Sequence, residues 1–184
     1  NKLFTDGFST GHGFLREPND IQSYSALACI AIQSNQDDQH GGQSIVDFDY
    51  GLAPGVTKTY KKFYSTNLYK SLEILAPSNE PDTTEDKSNG IQGGLTLFDL
   101  KEIASEIEKK TGHYPQITTD KDYLNEEKNI LLSKGFSEEV ISKAQNFAVK
   151  EAYRETEKAT YQAMEALIHN LNTMHSRAGA QTPF

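Results

Sequence analysis

The last third of the sequence carries one long stripe of apolar residues at helical spacing. The stripe holds Val140, Ile141, Ala144, Phe147, Ala148, Ala152, Ala159, Ala163, Leu167, Leu171 and Met174. At about 1.5 Å per residue, a helix from Ser137 to Met174 spans roughly 55 Å. This length exceeds the width of a compact domain of 184 residues. We therefore expect part of the apolar face to contact material outside this chain, and the chain to be part of a longer polypeptide.

Two other long helices are predicted near the start of the chain. Asn19 or Asp20 can cap the first, and its apolar residues are Ile21, Tyr24, Leu27, Ala28, Ala31 and Ile32. This helix is expected to end at Gly41-Gly42. Residues 44–48 are interpreted as a short strand or an extended connector. Pro54 suits the first turn of the second helix, whose stripe is Val56, Tyr60, Phe63, Tyr64, Leu68, Leu72 and Leu75.

Two shorter helices are predicted between the long ones. Residues 76–94 are rich in polar residues, Pro and Gly, and are predicted to form a flexible acidic loop. Thr96 with Asp99 is typical of a capping box, for a helix that ends at Gly112. Asp120 can cap the next helix, which ends at Gly135. Residues 176–184 are predicted to form a turn that leads into a strand.

Charge and composition exclude several classes of function. Acidic residues outnumber basic ones by 26 to 18, for a net charge of −8, whereas a duplex-DNA binder needs a basic surface. The longest apolar run, residues 26–32, is far shorter than the ~20 residues that cross a bilayer. No signal peptide is visible. The single cysteine, Cys29, excludes an intrachain disulfide and a cysteine-rich zinc site.

The residues that could carry chemistry form no established motif. The histidines are His12, His40, His113, His169 and His175, and none has a usual metal-binding spacing. Asp37, Asp38 and His40 cluster in sequence, but such a group at a helix end is usually solvated. Cys29 lies within a helix and is interpreted as a buried, inert thiol. Neither Gly11-His12-Gly13 nor Gly41-Gly42 matches a phosphate-binding loop.

Lys58, Lys61 and Lys62 flank the apolar stripe of the second long helix. They can meet a triphosphate as point charges, or they can form an ordinary solvated face. The small residues of the first and last helices fit a dimer contact and ordinary core packing equally well. The residues alone therefore predict a helical fragment with a candidate anion patch.

Two long strings of residues resemble the anaerobic (class III) ribonucleoside-triphosphate reductases, which are glycyl-radical enzymes. The first, residues 10–56, contains TGHGFLREPN, AIQSNQDDQHGGQSI and FDYGLAPGV. The second, residues 159–184, is ATYQAMEALIHNLNTMHSRAGAQTPF. Both strings are ungapped and occur in the family's order. Residues 76–135 match nothing in the family pattern and are interpreted as a variable region.

The resemblance implies a mainly α fragment of an α/β ten-stranded glycyl-radical barrel, with long helices plus one or two short strands. It implies that residues 1–184 are the N-terminal-side helical part of the reductase catalytic domain. In such enzymes a glycyl radical generates a cysteine thiyl radical, which takes the 3′ hydrogen of a ribonucleotide. The radical cysteine, the glycyl loop and the zinc-binding cysteines are expected beyond Phe184, and another catalytic cysteine just before Asn1. Cys29 matches none of these positions, so we expect no catalytic residue here and an inactive fragment.

By the same resemblance, this segment carries helices for the dimer interface and for an allosteric effector, ATP or a deoxynucleoside triphosphate. The candidate effector-binding residues are Arg16, Asn19, Gln33, Lys58, Lys61 and Lys62. Asn172, Arg177 and Gln181 are candidates for the substrate cavity. The expected partners are a second copy of the chain, a radical-SAM iron-sulfur activase and the nucleotide effector, without nucleic acid or membrane. The expected location is the cytoplasm, and no metal site is expected in this segment.

The main alternative is a structural helical module that binds a protein partner and no nucleotide. A metal-dependent hydrolase is disfavoured because the sequence shows no convincing set of ligands. The sequence identifies neither the effector, nor the selected base, nor the reductant.

Overall fold

The computed structural model describes residues 17–36, 42–77, 94–116 and 120–173. Within these ranges the chain forms five α-helices and no β-strand. Helix α1 is Ile21–Gln36, α2 is Phe48–Leu75, α3 is Leu97–Thr111, α4 is Lys121–Ser133 and α5 is Glu138–Thr173. The predicted helical character is confirmed. Most of the predicted loop at 76–94 (residues 78–93), the Asp37–Asp38–His40 cluster and the predicted strand at 176–184 lie outside the described residues.

Helix α5 confirms the long helix that the apolar stripe predicts. It runs without interruption for 36 residues, and the Ser137 Oγ accepts a hydrogen bond from the Val140 amide at 3.3 Å. Most of the predicted stripe is buried, namely Ile141, Ala144, Ala148, Ala152, Ala163, Leu167 and Leu171. The prediction that Phe147 belongs to the buried stripe is wrong, because Phe147 is 47% exposed. It precedes Ala148 by one residue, or about 100° around the helix, and so points away from the buried row.

Helix α1 begins as predicted, whereas α2 begins earlier than predicted. Asp20 caps α1, because its Oδ1 accepts the Ser23 amide at 2.9 Å. The described part of α1 ends at Gln36, and the next five residues lie outside the description. Residues 44–47 form a connector rather than a strand, ending at Asp47 with a positive φ of 54°. Helix α2 follows immediately.

Pro54 was predicted to lie in the first turn of α2, but it lies inside the helix. Proline lacks the amide hydrogen that an internal helical position normally donates, which is why it was expected at the start. The turn before it is held by tertiary packing instead. Leu52 is buried with Ile21 and Ala163, and Phe48 packs against the same cluster. These contacts stabilise helix that local propensity disfavours.

The two short helices begin and end as predicted. Thr96 and Asp99 form a reciprocal capping box, and Gly112 closes α3 with a φ of 74°. The Asp120 side chain accepts the amides of Asp122 and Tyr123 at the start of α4. Gly135, with a φ of 94°, follows the end of α4. Positive φ at both glycines explains why glycine is suited to these helix ends.

The chain divides into two compact units, and the division falls inside α2 and α5. The first unit comprises residues 1–59 and 156–184, and the second comprises residues 60–155. In the first unit, two apolar clusters join α1, α2 and α5. One holds Ile21, Tyr24, Leu52 and Ala163, and the other holds Cys29, Leu167 and Leu171.

The second unit has its own core, to which all four of its helical segments contribute. Helix α2 supplies Tyr60, Tyr64, Leu68 and Leu72, and α3 supplies Leu100, Ile103 and Ile107. Helix α4 adds Tyr123 and Leu131, and α5 adds Ile141 and the alanines Ala144, Ala148 and Ala152. The alanines leave room for the larger side chains of the neighbouring helices, so that the interior can be filled.

Gly55 marks a close contact between α1 and α2 in the first unit. A Cβ atom at this position would lie 2.8 Å from Cδ2 of Tyr24, whose side chain is only 2% exposed. Replacement by alanine normally favours a helix, so a loss of stability would report the steric contact alone. We expect Gly55→Ala to lower the free energy of unfolding by about 1–3 kcal/mol, as overpacking typically does. Denaturant titration measures this change.

Gly42→Ala is the control, because a Cβ atom at Gly42 meets nothing within 4 Å. It should leave the free energy of unfolding nearly unchanged. A Gly55→Ala protein as stable as the parent would show that Tyr24 does not restrict the approach of α1 to α2.

Candidate functional site

The candidate residues are distributed over both units. Asn19 precedes α1 and is exposed, and Asn172 lies exposed in the last turn of α5. Gln33 lies on α1 and is half-buried. Arg16, Arg177 and Gln181 lie outside the described residues. Lys58 belongs to the first unit, whereas Lys61 and Lys62 belong to the second.

Gln33 is the candidate with an unusual environment. Its Nε2 atom is buried and has no hydrogen-bond partner within the described part of the chain. The neighbouring Ile32 carbonyl does have a partner, since Nε2 of Gln43 donates a hydrogen bond to it at 3.1 Å. A buried amide donor without an acceptor typically costs about 1–3 kcal/mol, so such groups usually have a partner. The Gln33 amide is thus suited to meet an acceptor supplied from elsewhere.

Lys58 is held by contacts within the first unit. Its ammonium donates to the Glu17 carboxylate and, at 3.0 Å, to the Pro18 carbonyl. It also lies 5.4 Å from the centre of the Tyr24 ring. Partial burial lowers the pKa of Lys58, but the hydrogen bonds to Glu17 and Tyr24 outweigh burial and raise this pKa above its ordinary value. Lys58 is therefore a charged side chain that already has an acidic partner.

Lys61 has comparable contacts within the second unit, and Lys62 does not. The Lys61 Nζ lies 2.7 Å from Oε2 of Glu108 and 4.0 Å from the centre of the Tyr114 ring. Lys62 is exposed, and within the described ranges no acidic group forms an ion pair with it. Two of the three lysines predicted as an anion patch are thus paired with carboxylates of this chain.

A group of titratable residues that the sequence did not predict lies at the start of α4. The Nδ1 of His113 is 2.8 Å from Oδ2 of Asp120, and its Nε2 is 3.8 Å from Oδ2 of Asp122. The hydrogen bond to Asp120 and its charge raise the pKa of His113. Partial burial raises the pKa of Asp120, but the Tyr123 amide and His113 outweigh this and lower it.

Ligand atoms of these three residues lie within 4.8 Å of one another, close enough to share a metal ion. Two features oppose that role. The Oδ1 of Asp120 is occupied as the helix cap, and the positive end of the helix dipole disfavours a cation. The spacing of His113 seven residues before an Asp-x-Asp sequence is the only signal that could have revealed the group. We interpret it as a charged helix cap.

The second unit also encloses a carboxyl group that the sequence analysis missed. Glu127 is 2% exposed and accepts hydrogen bonds from Tyr64, Tyr123 and Gln145. Glutamate is usually exposed on a helix, so it was not expected in the core. The available signal was its position, because Tyr123, Glu127 and Leu131 recur at intervals of four on the buried face of α4.

Cys29 is buried, as predicted, and burial raises the pKa of its thiol. A thiol with a raised pKa is a poor nucleophile, which fits the expected inert role. Among the described helices, none has a stretch long and apolar enough to cross a bilayer.

Comparison with known protein families identifies the chain. The family model described as anaerobic ribonucleoside-triphosphate reductase matches residues 1–184. The chain belongs to the anaerobic ribonucleoside-triphosphate reductase family. Anaerobic ribonucleotide reduction is therefore the general activity with which it is associated, and the resemblance stated from the sequence is confirmed. Neither the curated proteins nor the solved structures contain a match to the chain.

The structure groups the reductase-like strings in space. The described parts of the two strings, residues 17–36, 42–56 and 159–173, belong to the first unit. The expectation that residues 76–135 lie outside the family pattern is wrong, because the family model also covers them. The described parts of the two strings are in contact, since Ser25 Oγ donates to the Ala163 carbonyl at 2.9 Å. Cys29 also packs with Leu167 and Leu171. Two segments more than a hundred residues apart thus form one structure in this reductase-family chain.

The His113–Asp120 contact generates a prediction about pH. We expect Asp120→Asn to lower the pKa of His113 toward its ordinary value, because the carboxylate charge is removed. Asparagine can still cap α4, so the helix should remain. Titration of the His113 ring by NMR measures the change. In the parent protein, the stability contributed by this pair is complete below the unfolded-state pKa of histidine and is lost as the pH rises through the raised folded-state pKa.

Asp122→Asn is the matched control, because Asp122 is farther from the ring and acts on His113 by its charge alone. It should shift the histidine less than Asp120→Asn does. Equal pKa values in the parent and in Asp120→Asn would contradict the assignment.

Proposed function

We propose that this chain is part of the large subunit of an anaerobic ribonucleoside-triphosphate reductase and carries its dimer-interface and effector-binding helices. The observation that supports this most directly is the family match over all 184 residues. The meeting of both reductase-like strings in the first unit adds support, because their described parts form one structure around α1, α2 and α5. The ten-stranded barrel and its strands would then be formed by other parts of the polypeptide.

The radical residues of the proposed enzyme lie outside this segment. Cys29 is the only cysteine, and it is buried with a raised pKa. The segment alone is therefore proposed to be inactive. The glycyl radical, the zinc site and the contact with a radical-SAM iron-sulfur activase belong to the rest of the protein in this proposal, which we place in the cytoplasm.

The effector proposal rests on groups that can recognise a nucleotide. The buried amide nitrogen of Gln33 lacks an acceptor and could donate to a base or ribose oxygen. The exposed ammonium of Lys62 can attract a triphosphate, with Arg16 and Asn19 as further candidates. Lys58 and Lys61 would have to exchange Glu17 and Glu108 for phosphate. Asn172, Arg177 and Gln181 remain proposed contacts to the substrate cavity.

One observation favours the alternative, a structural helical module without a nucleotide. Both Lys58 and Lys61 have carboxylate partners in the chain, as expected of side chains that stabilise the fold. In this second candidate function, Gln33 would find its acceptor on another protein segment rather than on a nucleotide.

Calorimetric titration of the reductase dimer with ATP and with each deoxynucleoside triphosphate distinguishes the two functions. We expect at least one nucleotide to bind, and its binding to be weakened about 5–30-fold by Gln33→Ala if the site lies in the first unit, or by Lys62→Ala if it lies in the second. That range corresponds to about 1–2 kcal/mol. This is the usual contribution of one hydrogen bond, whether both partners are neutral or one of them is charged. Lys70→Ala is the control, because Lys70 is exposed on the same helix, about two turns away.

The outcomes have different consequences. No binding by the unmutated dimer would reject the effector role and support the structural module. Binding that neither Gln33→Ala nor Lys62→Ala weakens would place the effector site elsewhere. Weakening by Lys70→Ala of the same size would show a general effect of positive charge rather than a site.

A further inference from the structure

The buried carboxyl group of Glu127 has no role in ribonucleotide reduction as described above, yet it has hydrogen-bond partners on three sides within the second unit. Its Oε1 lies 2.6 Å from the Tyr64 hydroxyl on α2 and 2.9 Å from Nε2 of Gln145 on α5. Its Oε2 lies 3.0 Å from the Tyr123 hydroxyl on α4. The same Gln145 nitrogen also donates to the Leu124 carbonyl of α4 at 3.0 Å. One carboxyl group thus connects three helices.

The groups that face Glu127 are neutral or acidic. Helix α2 presents Tyr64, with Tyr60 stacked behind it, and α4 presents Tyr123. Helix α5 presents the neutral amide of Gln145. Helix α3 contributes Glu108, whose negative charge acts on Tyr123 and which is itself paired with Lys61. Within the described part of the chain, no Lys, Arg or His forms an ion pair or hydrogen bond with Glu127.

Burial without a cationic partner penalises the ionised form of a carboxyl group. Burial accordingly raises the pKa of Glu127, although the hydrogen bonds from Tyr64, Gln145 and Tyr123 act in the opposite direction. The phenols provide no alternative charge. Burial raises the pKa of Tyr60 to about 12 and raises those of Tyr64 and Tyr123 as well, so all three stay protonated. Among these four side chains, Glu127 is therefore the one that ionises first as the pH rises.

We propose that Glu127 is a pH-sensitive switch for helix α4: its neutral carboxyl group holds α4 against α2 and α5, and loss of its proton loosens α4. Helix α4 attaches through the buried Tyr123, Glu127 and Leu131 and through the partly buried Leu124 and Ile130, and among these residues only Glu127 carries a carboxyl group. An ionised Glu127 would leave a negative charge among aromatic rings, and movement of α4 toward water relieves that cost. The switch lies in the second unit and does not require the effector role.

The direction of the pH effect follows from the sign of the shift. A carboxyl group with a raised folded-state pKa binds its proton more tightly in the folded state than in the unfolded state. The stability that it contributes is complete below the unfolded-state pKa, near 4.5, and is lost as the pH rises through the folded-state value. Attachment of α4 should therefore weaken from acidic to alkaline pH.

The attachment of α4 can be measured by amide hydrogen exchange of the intact protein. Mass spectrometry then gives the protection of the peptide that contains α4. Both proteins compared should carry His113→Gln, since His113 also titrates at the start of α4. After correction for the intrinsic pH dependence of exchange, we expect protection of α4 to fall at least tenfold between pH 5 and pH 9. Adding Glu127→Gln, which places a permanently neutral group of similar shape, should make the protection independent of pH.

Glu126→Gln in the same background is the matched control, because Glu126 is the adjacent acid on α4 and forms only an exposed contact with Lys110. It should retain the pH dependence. Constant protection in the parent, or an equal pH dependence in Glu127→Gln, would overturn the proposal. If Glu127→Gln does not fold, infrared difference spectra of the parent provide a second readout. A protonated carboxylic acid band that disappears as α4 loses protection supports the switch, and its absence at pH 5 rejects it.

Discussion

The close approach of α1, α2 and α5 is the constraint on which the first unit of this reductase-family chain depends. Gly55 allows the Tyr24 ring to lie against the backbone of α2, and Ser25 donates to the Ala163 carbonyl of α5. The bond from the Ile21 amide to Thr59 Oγ1 connects the start of α1 to α2. Each contact requires a small side chain or a hydroxyl at the crossing point. These contacts bring together two sequence strings that lie more than a hundred residues apart, so residues distant in the sequence form one structural unit.

The second unit is built on a different principle. Alanines on α5 leave space for the tyrosines of α2 and α4, and the hydroxyls of these tyrosines then need acceptors within the core. Glu127 supplies both carboxylate oxygens for this purpose. Large aromatic side chains and one buried acid thus fill a unit in which residues 76–135 alone suggested little beyond two short helices. The stability of this unit is sensitive to ionisation in a way that the apolar clusters of the first unit are not.

Much of the fold could be predicted from sequence because local rules determined it. The capping box at Thr96, the cap at Asp120 and the left-handed glycines Gly112 and Gly135 each fix a helix end by short-range hydrogen bonds or positive φ. The prediction for Pro54 was wrong because the packing of Leu52 overrides the local preference of proline. The prediction for Phe147 was wrong because, in sequence, an apolar residue beside the buried row resembles one within it. The partners of Lys58, Lys61 and Glu127 could not be predicted, since Glu17, Glu108 and Tyr64 lie 41, 47 and 63 residues away.

The pairing of the lysines does not by itself decide between an effector site and a structural module. Exposed ion pairs contribute only about 0–1 kcal/mol, so a triphosphate could replace Glu17 or Glu108 at small cost. Such a replacement would also leave a free carboxylate near the bound anion, which reduces the gain in an acidic chain of net charge −8. Gln33 differs in this respect, because its buried amide nitrogen has no partner to lose within the described residues. An acceptor that reaches Gln33 gains a hydrogen bond without breaking one, so this residue discriminates between the two functions more sharply than any of the lysines.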